Sequence, residues 1–276
     1  MNNVVVRSIS GVVFILAMLA CLMFNKFLFA GLIIFIMSVM LLEFYHITMG
    51  NSYTFSKVLA IIAAIFLFGL LFATASYHIP IRFVAFAMVP IFIVMINSLY
   101  VKDKDEYGKF SNIYTGLLYI AVPIALSNLI AFDKAGNFSG NLLLCFFIII
   151  WCSDVGAFAF GISLGKIFPQ NLFPSVSPKK TWIGFIGGLV SSVLAAFALY
   201  EFGILKFPLI HCLILSFIMS VTGVYGDLFE SQWKRVYGVK DSGKIIPGHG
   251  GFLDRFDSTL MAMPFGAIYL AIFDLL

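Results

Sequence analysis

Apolar residues run along this chain in long unbroken stretches, and charged residues gather between them. Nine such runs stand out: approximately Ser8 to Phe24, Phe27 to Leu42, Val58 to Thr74, Phe83 to Tyr100, Ile113 to Phe132, Leu142 to Gly161, Trp182 to Tyr200, Phe207 to Gly226 and Phe256 to Phe273. A bilayer core about 30 Å thick is crossed by about 20 apolar residues of helix, which is the length scale of these runs. They are continuous rather than alternating, and lipid offers a backbone no hydrogen-bond partner, so helices are expected and barrel strands are not. The pattern predicts an all-α, polytopic integral membrane protein with about nine transmembrane helices. No repeat, linker or low-complexity segment divides it, so residues 1–276 are expected to form a single membrane-embedded domain.

Composition sharpens this picture. Hydrophobic residues make up 62% of the 276 positions and charged residues 11%, whereas a soluble domain is roughly a quarter charged. Arg7 before an apolar stretch ending in Leu19, Ala20 and Cys21 has the outline of a signal peptide. No small-x-small cleavage site follows, and a second apolar run begins at once, so a retained first helix is expected. Cys21, Cys145, Cys152 and Cys212 all fall inside apolar runs without zinc-ligand spacing and are expected to be packing residues.

Charge gives an orientation. Nine spans place the amino terminus and the even-numbered loops on one side, and that side carries 13 of the 17 basic residues; only Lys26, Arg82, Lys134 and Lys206 fall on the other. Short loops rich in Lys and Arg stay cytoplasmic, so the amino terminus is expected inside and the carboxyl terminus outside. The net charge of +4 is then a topology signal. No nucleic-acid partner is expected, because the basic residues are split among loops and mixed with acids.

Ten of the chain's 30 charged residues lie between Asp227 and Asp257. Continuing the eighth helix past Gly226 puts Asp227, Glu230, Ser231 and Lys234 on one stripe, since residues three, four and seven apart share a helix face. An ordinary solvated helix end with internal ion pairs would look the same. Lys240, Asp241, Ser242, Gly243 and Lys244 then lead into Pro247-Gly248-His249-Gly250-Gly251, a turn whose glycines allow close backbone approach to a ligand. Asp254, Arg255 and Asp257 open the last apolar helix, where negative charge is favoured. Capping accounts for one acid; two acids with an intervening arginine fit a divalent cation, because magnesium takes carboxylate oxygens together with substrate phosphates.

A second cluster is Ser177-Pro178-Lys179-Lys180-Thr181-Trp182, where Ser177 is expected to cap a helix and Pro178 to begin it. That places Lys179 and Lys180 in the first turn, against the positive end of the helix dipole, an arrangement that favours a bound anion. Orientation-setting lysines are the plainer account. Asp154 interrupts the sixth run, and an ionisable group inside a membrane helix costs about 2.5–3.5 kcal/mol on insertion scales, which favours a functional role over helix packing. Glu43, near the cytoplasmic end of the second run, is a weaker candidate because it can reach the interface.

Together, Ser231, Lys234, Arg235, Lys240, Asp241, Gly243, the run Ile246 to Gly251, Asp254, Arg255 and Asp257 form a gapless pattern that resembles the signature of phosphatidate cytidylyltransferases, or CDP-diacylglycerol synthases. Ser177 to Trp182 is similar to a second stretch of that family, and hydrophobic length agrees along essentially the whole chain. The family often has glutamate or glutamine after the tryptophan; here it is Ile183, so no role is carried over to that position.

The resemblance implies that CTP and phosphatidic acid give CDP-diacylglycerol and pyrophosphate, with magnesium and room for a second metal ion. A phosphate monoester has a second pKa near 6, so the nucleophile is already mostly dianionic at neutral pH, and repulsion between anions is the main obstacle. Metal binding is therefore expected at Asp227, Asp254 and Asp257, and Asp154 joins them as a catalytic candidate. Ser177, Lys179, Lys180, Lys234, Arg235, Lys240, His249 and Arg255 are expected to engage the triphosphate or lipid phosphate. Residues 177–258 would carry most of the site, at the cytoplasmic face of the plasma (inner) membrane, with a second copy of the chain kept open as a partner. A CTP-dependent polyprenol or phytol kinase, a CDP-archaeol synthase and a transporter are the rivals; a transporter would gather polar elements near the bilayer midplane.

Overall fold

A computed structural model describes residues 3–100, 107–248 and 250–276, with side chains from residue 10 onward. Among the described residues the regular elements are helices and one short two-stranded hairpin. Its elements are α1 (Asn3–Phe24), α2 (Lys26–Met49), α3 (Thr54–Tyr77), a 3-10 segment (Ile81–Ala87) leading into α4 (Met88–Ser98), α5 (Tyr107–Gly116), a π segment (Leu117–Ala121), and α6 (Val122–Ala131). There follow α7 (Asn141–Leu164), β1 (Asn171–Phe173), β2 (Ser177–Thr181), α8 (Trp182–Glu201), α9 (Leu209–Val236) and α10 (Leu253–Ile272).

Each of the nine apolar runs is helical. Seven helices among the described residues are long and apolar enough to cross a membrane: Lys26–Met49, Thr54–Tyr77, Ile81–Ser98, Tyr107–Ala131, Asn141–Leu164, Trp182–Glu201 and Leu209–Val236. Seven of the expected nine spans meet this measure among the described residues. The remaining two are α1, with an apolar stretch at Ser10–Phe24, and α10, which opens with Asp254, Arg255 and Asp257. Phe92, Ile93, Met95 and Ile96 of α4 are exposed, as expected of a lipid-facing helix.

Two runs that look uniform in sequence are not uniform helices, and proline explains both. Pro90 has no N–H to donate to Phe86, and the chain before it is wound as a 3-10 segment. Pro123 has none for Tyr119, and there the ladder widens: the amide of Val122 donates to Leu117, one residue beyond the α-helical partner.

The chain divides into two compact units, Met1–Ser139 with Val239–Arg255, and Gly140–Gly238 with Phe256–Leu276. In the first unit the Phe29 ring packs against Phe68 and Phe138, with centroids 6.2 and 5.4 Å away. The buried Tyr45 hydroxyl donates to the Ile113 carbonyl at 3.0 Å, and its ring lies where a side chain on Gly116 would be.

The second unit is assembled through small residues. A Cβ on Gly156 would overlap Ser191, and one on Gly188 or Gly184 would come within 2.9 Å of the carbonyls of Ser153 or Ala157. These contacts bring α7 and α8 together as membrane helices commonly pack, backbone close to backbone. Gly223 and Gly226 do the same between α9 and α10: a Cβ on Gly226 would overlap the Asp257 carbonyl oxygen. All four cysteines are free thiols.

Candidate active site

In the second unit the polar residues sit where α9, α10 and the hairpin meet. As the stripe predicts, α9 continues past Gly226 to Val236. Ser231 Oγ donates to Asp227 Oδ1 at 3.2 Å, and Lys234 Nζ lies 2.6 Å from Glu230 Oε2, an i,i+4 ion pair with Glu230 buried. Because Gly226 has no side chain, α10 comes close enough to place Asp257 within electrostatic reach of Asp227, Glu230 and Asp154. Asp257 Oδ1 accepts from the Ser258 amide at 2.8 Å, and Ser258 Oγ donates to Asp154 Oδ1 at 3.4 Å. Asp154 is at the exposed face of α7.

Four carboxyl groups thus share one neighbourhood, and cations from the same unit answer two of them. Lys180 Nζ is 2.6 Å from Asp227 Oδ2, both side chains about a quarter to a third exposed. Lys180 reaches Asp227 because the hairpin lies along α9: Phe173 meets the Tyr225 ring edge-on at 6.4 Å, and Arg235 Nε donates to the Val176 carbonyl at 3.5 Å.

This geometry corrects one expectation. Ser177 does not cap α8 and Pro178 does not begin it; residues 177–181 form β2, paired antiparallel with β1. The cap is Thr181, whose hydroxyl accepts from the Gly184 amide at 3.2 Å. The lysines therefore do not lie in the first helical turn. Successive strand residues point to opposite faces, which is why Lys180 is half-buried against Asp227 while Lys179 is exposed. Two adjacent lysines that look equivalent in sequence are not equivalent in space.

In the first unit the signature loop is organised by an acid that the sequence marks only weakly. Glu43, 6% exposed on α2, accepts from the amide of Phe252 at 3.1 Å, the amide of Leu253 at 2.9 Å and the hydroxyl of Ser242 at 3.2 Å. Asp254 Oδ2 accepts from the amides of Ser242 and Gly251, each at 2.8 Å, and lies 2.9 Å from Ser242 Oγ, whose single proton serves either Asp254 or Glu43. The first amides of α10, which no intrahelical carbonyl can serve, are thus capped from a distance.

Gly243 and Gly251 are pressed against the Glu43 carboxylate, where any Cβ would overlap it. They admit a protein side chain, not only a ligand. Ser10 Oγ donates to the Pro247 carbonyl at 3.0 Å, and the Phe252 ring stands edge-on to Phe14 and Phe35 at 6.3 and 6.0 Å. Lys240, Lys244 and Arg255 are exposed. His249 lies outside the described residues. In the sequence Glu43 is only a weaker candidate, marked as an acid inside a long apolar helix, and Ser242 is not among the expected site residues.

All-carboxylate donors are the right chemistry for a hard divalent cation. Among the described residues no three His, Cys, Asp or Glu side chains converge to hold one ion. Magnesium does not need such a cage, since it is bound through one or two carboxylates and completes its shell with water and phosphate oxygens. Asp227 and Asp257 fit that role, and the ammonium beside Asp227 occupies a position where positive charge is favoured.

Fold and site define a class: a polytopic α-helical membrane protein with a polar, carboxylate- and lysine-rich centre built at helix ends. Residues 5–273 match the cytidylyltransferase family, and the chain belongs to it. It is 40% identical over 182 residues to a phosphatidate cytidylyltransferase of Bacillus subtilis, covering 65% of this chain and 63% of that protein. It is 44% identical over 124 residues to one of Staphylococcus saprophyticus and 45% identical over 124 residues to one of Staphylococcus aureus, covering 45% of this chain and 46% of each relative.

Proposed function

We propose that this protein transfers the cytidylyl group of CTP to phosphatidic acid, forming CDP-diacylglycerol and pyrophosphate. The observation that carries this reading is the cluster of Asp227, Asp257, Asp154 and Lys180, joined by Gly226-mediated contact of α9 with α10, in a chain of the cytidylyltransferase family.

A phosphate oxygen of phosphatidic acid forms a bond to the α-phosphorus of CTP as the bond from that phosphorus to the β-phosphate oxygen breaks. The dianionic nucleophile needs little help from a base. The protein's work is to hold two anions in line and to offset their charge as the pyrophosphate leaves. Asp227 and Asp257 would hold a magnesium ion, which would supply charge neutralisation at the phosphates, and Asp254 is a metal-ligand candidate by resemblance.

Lys180 provides a cation that can exchange between Asp227 and a substrate phosphate. Arg235, Lys240 and Arg255 provide exposed positive charge, Lys179 stands beside Lys180 on β2, and Lys234 balances Glu230. Ser177 anchors the start of β2, His249 is a phosphate donor by resemblance, and Asp154 orients Ser258. We further place the site at the cytoplasmic face of the inner membrane, on the asymmetry of basic residues between the two sides. The lipid substrate keeps its acyl chains in the bilayer there, while its headgroup meets water-soluble CTP.

The test is to incubate purified protein with CTP, phosphatidic acid and magnesium. Release of pyrophosphate with formation of CDP-diacylglycerol is expected. Release of CDP would identify a lipid kinase, and passage of substrate across proteoliposomes without nucleotide consumption would identify a transporter.

A further inference from the structure

A carboxylate buried in an apolar helix is costly unless its oxygens are hydrogen-bonded. Glu43 is the one acid of α2, and its bonds go to the loop before α10: the amides of Phe252 and Leu253 and the hydroxyl of Ser242. Ser242 Oγ also contacts Asp254 Oδ2 at 2.9 Å, and it accepts from the Asp254 amide at 3.3 Å. A continuous chain of bonds therefore runs from α2 through Ser242 to Asp254. Gly243 and Gly251 leave the space that Glu43 fills.

We propose that Glu43 is a positioning residue, which fixes the Ser242–Leu253 loop and, through Ser242, the orientation of the Asp254 carboxylate. Neither Glu43 nor Ser242 touches substrate in this account; they act through Asp254. Replacement by Gln leaves one acceptor oxygen where there were two and turns an NH2 toward backbone N–H groups, so at least one buried amide loses its partner. The part of this inference that concerns turnover rests on the proposed cytidylyl transfer. The part that concerns loop order does not.

The test compares wild type, Glu43→Gln, Ser242→Ala and the double variant in lipid nanodiscs, by steady-state kinetics and by the rate of tryptic cleavage after Lys240 and Lys244. For Glu43→Gln we expect cleavage in the loop to quicken about tenfold or more. We also expect kcat to fall about 10- to 100-fold, with KM for CTP within about threefold of wild type. Residues in one hydrogen-bonded chain are not additive, so the double variant should be no more than about threefold slower than Glu43→Gln alone. Should Glu43→Gln fail to fold, Ser242→Ala, which removes the hydroxyl bridging Glu43 and Asp254 while keeping the Phe252 and Leu253 amides on Glu43, must still show quicker loop cleavage and lower kcat.

Unchanged cleavage in both single variants would overturn the proposal. So would losses in kcat that multiply in the double variant, since independent effects would mean no shared chain. A wild-type protein that makes no CDP-diacylglycerol refutes the proposed reaction instead, and leaves the cleavage comparison to decide the role of Glu43.

Discussion

The Lys180 ammonium stands 2.6 Å from Oδ2 of Asp227, and this pair joins the only hairpin among the described residues to the polar end of α9. The pairing separates two lysines that adjacent sequence positions make look alike. It also places a positive charge at the acid expected to carry the metal.

Lys180→Gln should therefore reduce cytidylyl transfer by roughly 100-fold, the scale of losing one donor that offsets developing charge. Lys179→Gln should change it little. Steady-state kinetics on the two single variants check this, and equal losses would return the pair to a shared electrostatic role.

Gly226→Ala tests how the acids are brought together. The added methyl would overlap the Asp257 carbonyl, so α9 and α10 must separate or shift. Overpacking of this kind costs about 1–3 kcal/mol, and thermal unfolding should report it. Turnover should fall further than stability does, because Asp257 moves relative to Asp227. Gly69→Ala, where nothing lies within 4 Å of the new Cβ, is the matched control.

Asp254→Asn should remove most turnover, about 100-fold or more, while the protein stays folded; misplacement of a catalytic group by 1 Å can already cost that much. In one rotamer the new NH2 would face the donor amides of Ser242 and Gly251, and in the other the remaining side-chain oxygen would accept from them. Near-normal turnover would reject any catalytic part for this carboxylate.

Chelation of divalent cations should abolish the reaction, and added magnesium should restore it, without change in helical content by circular dichroism. An assay that proceeds in excess chelator would contradict metal binding at Asp227 and Asp257.

The helices were largely legible because the bilayer imposes one solvent and one length scale on every apolar run. The stripe Asp227, Glu230, Ser231 and Lys234 was legible for a similar reason: its contacts are three and four residues apart on one helix. Prolines 90 and 123 were visible too, yet whether a membrane helix answers a missing N–H by tightening or widening depends on neighbours. The strand at Ser177–Thr181 is not legible, because Ser-Pro before an apolar run is a good helix start and the competing pairing with Asn171–Phe173 is a tertiary outcome. Glu43 was hardest, since its partners lie about 200 residues away along the chain. The glycines that receive it have the appearance of a ligand-binding turn.

The central claim is that the lipid phosphate attacks the α-phosphorus of CTP, and the fate of a phosphorus label tests it directly. With CTP labelled at the α-phosphate, purified protein and phosphatidic acid should yield labelled lipid and unlabelled pyrophosphate; with CTP labelled at the γ-phosphate, the label should leave in pyrophosphate. Label passing from the γ-phosphate into lipid, or remaining wholly in CTP under both conditions, would contradict the account.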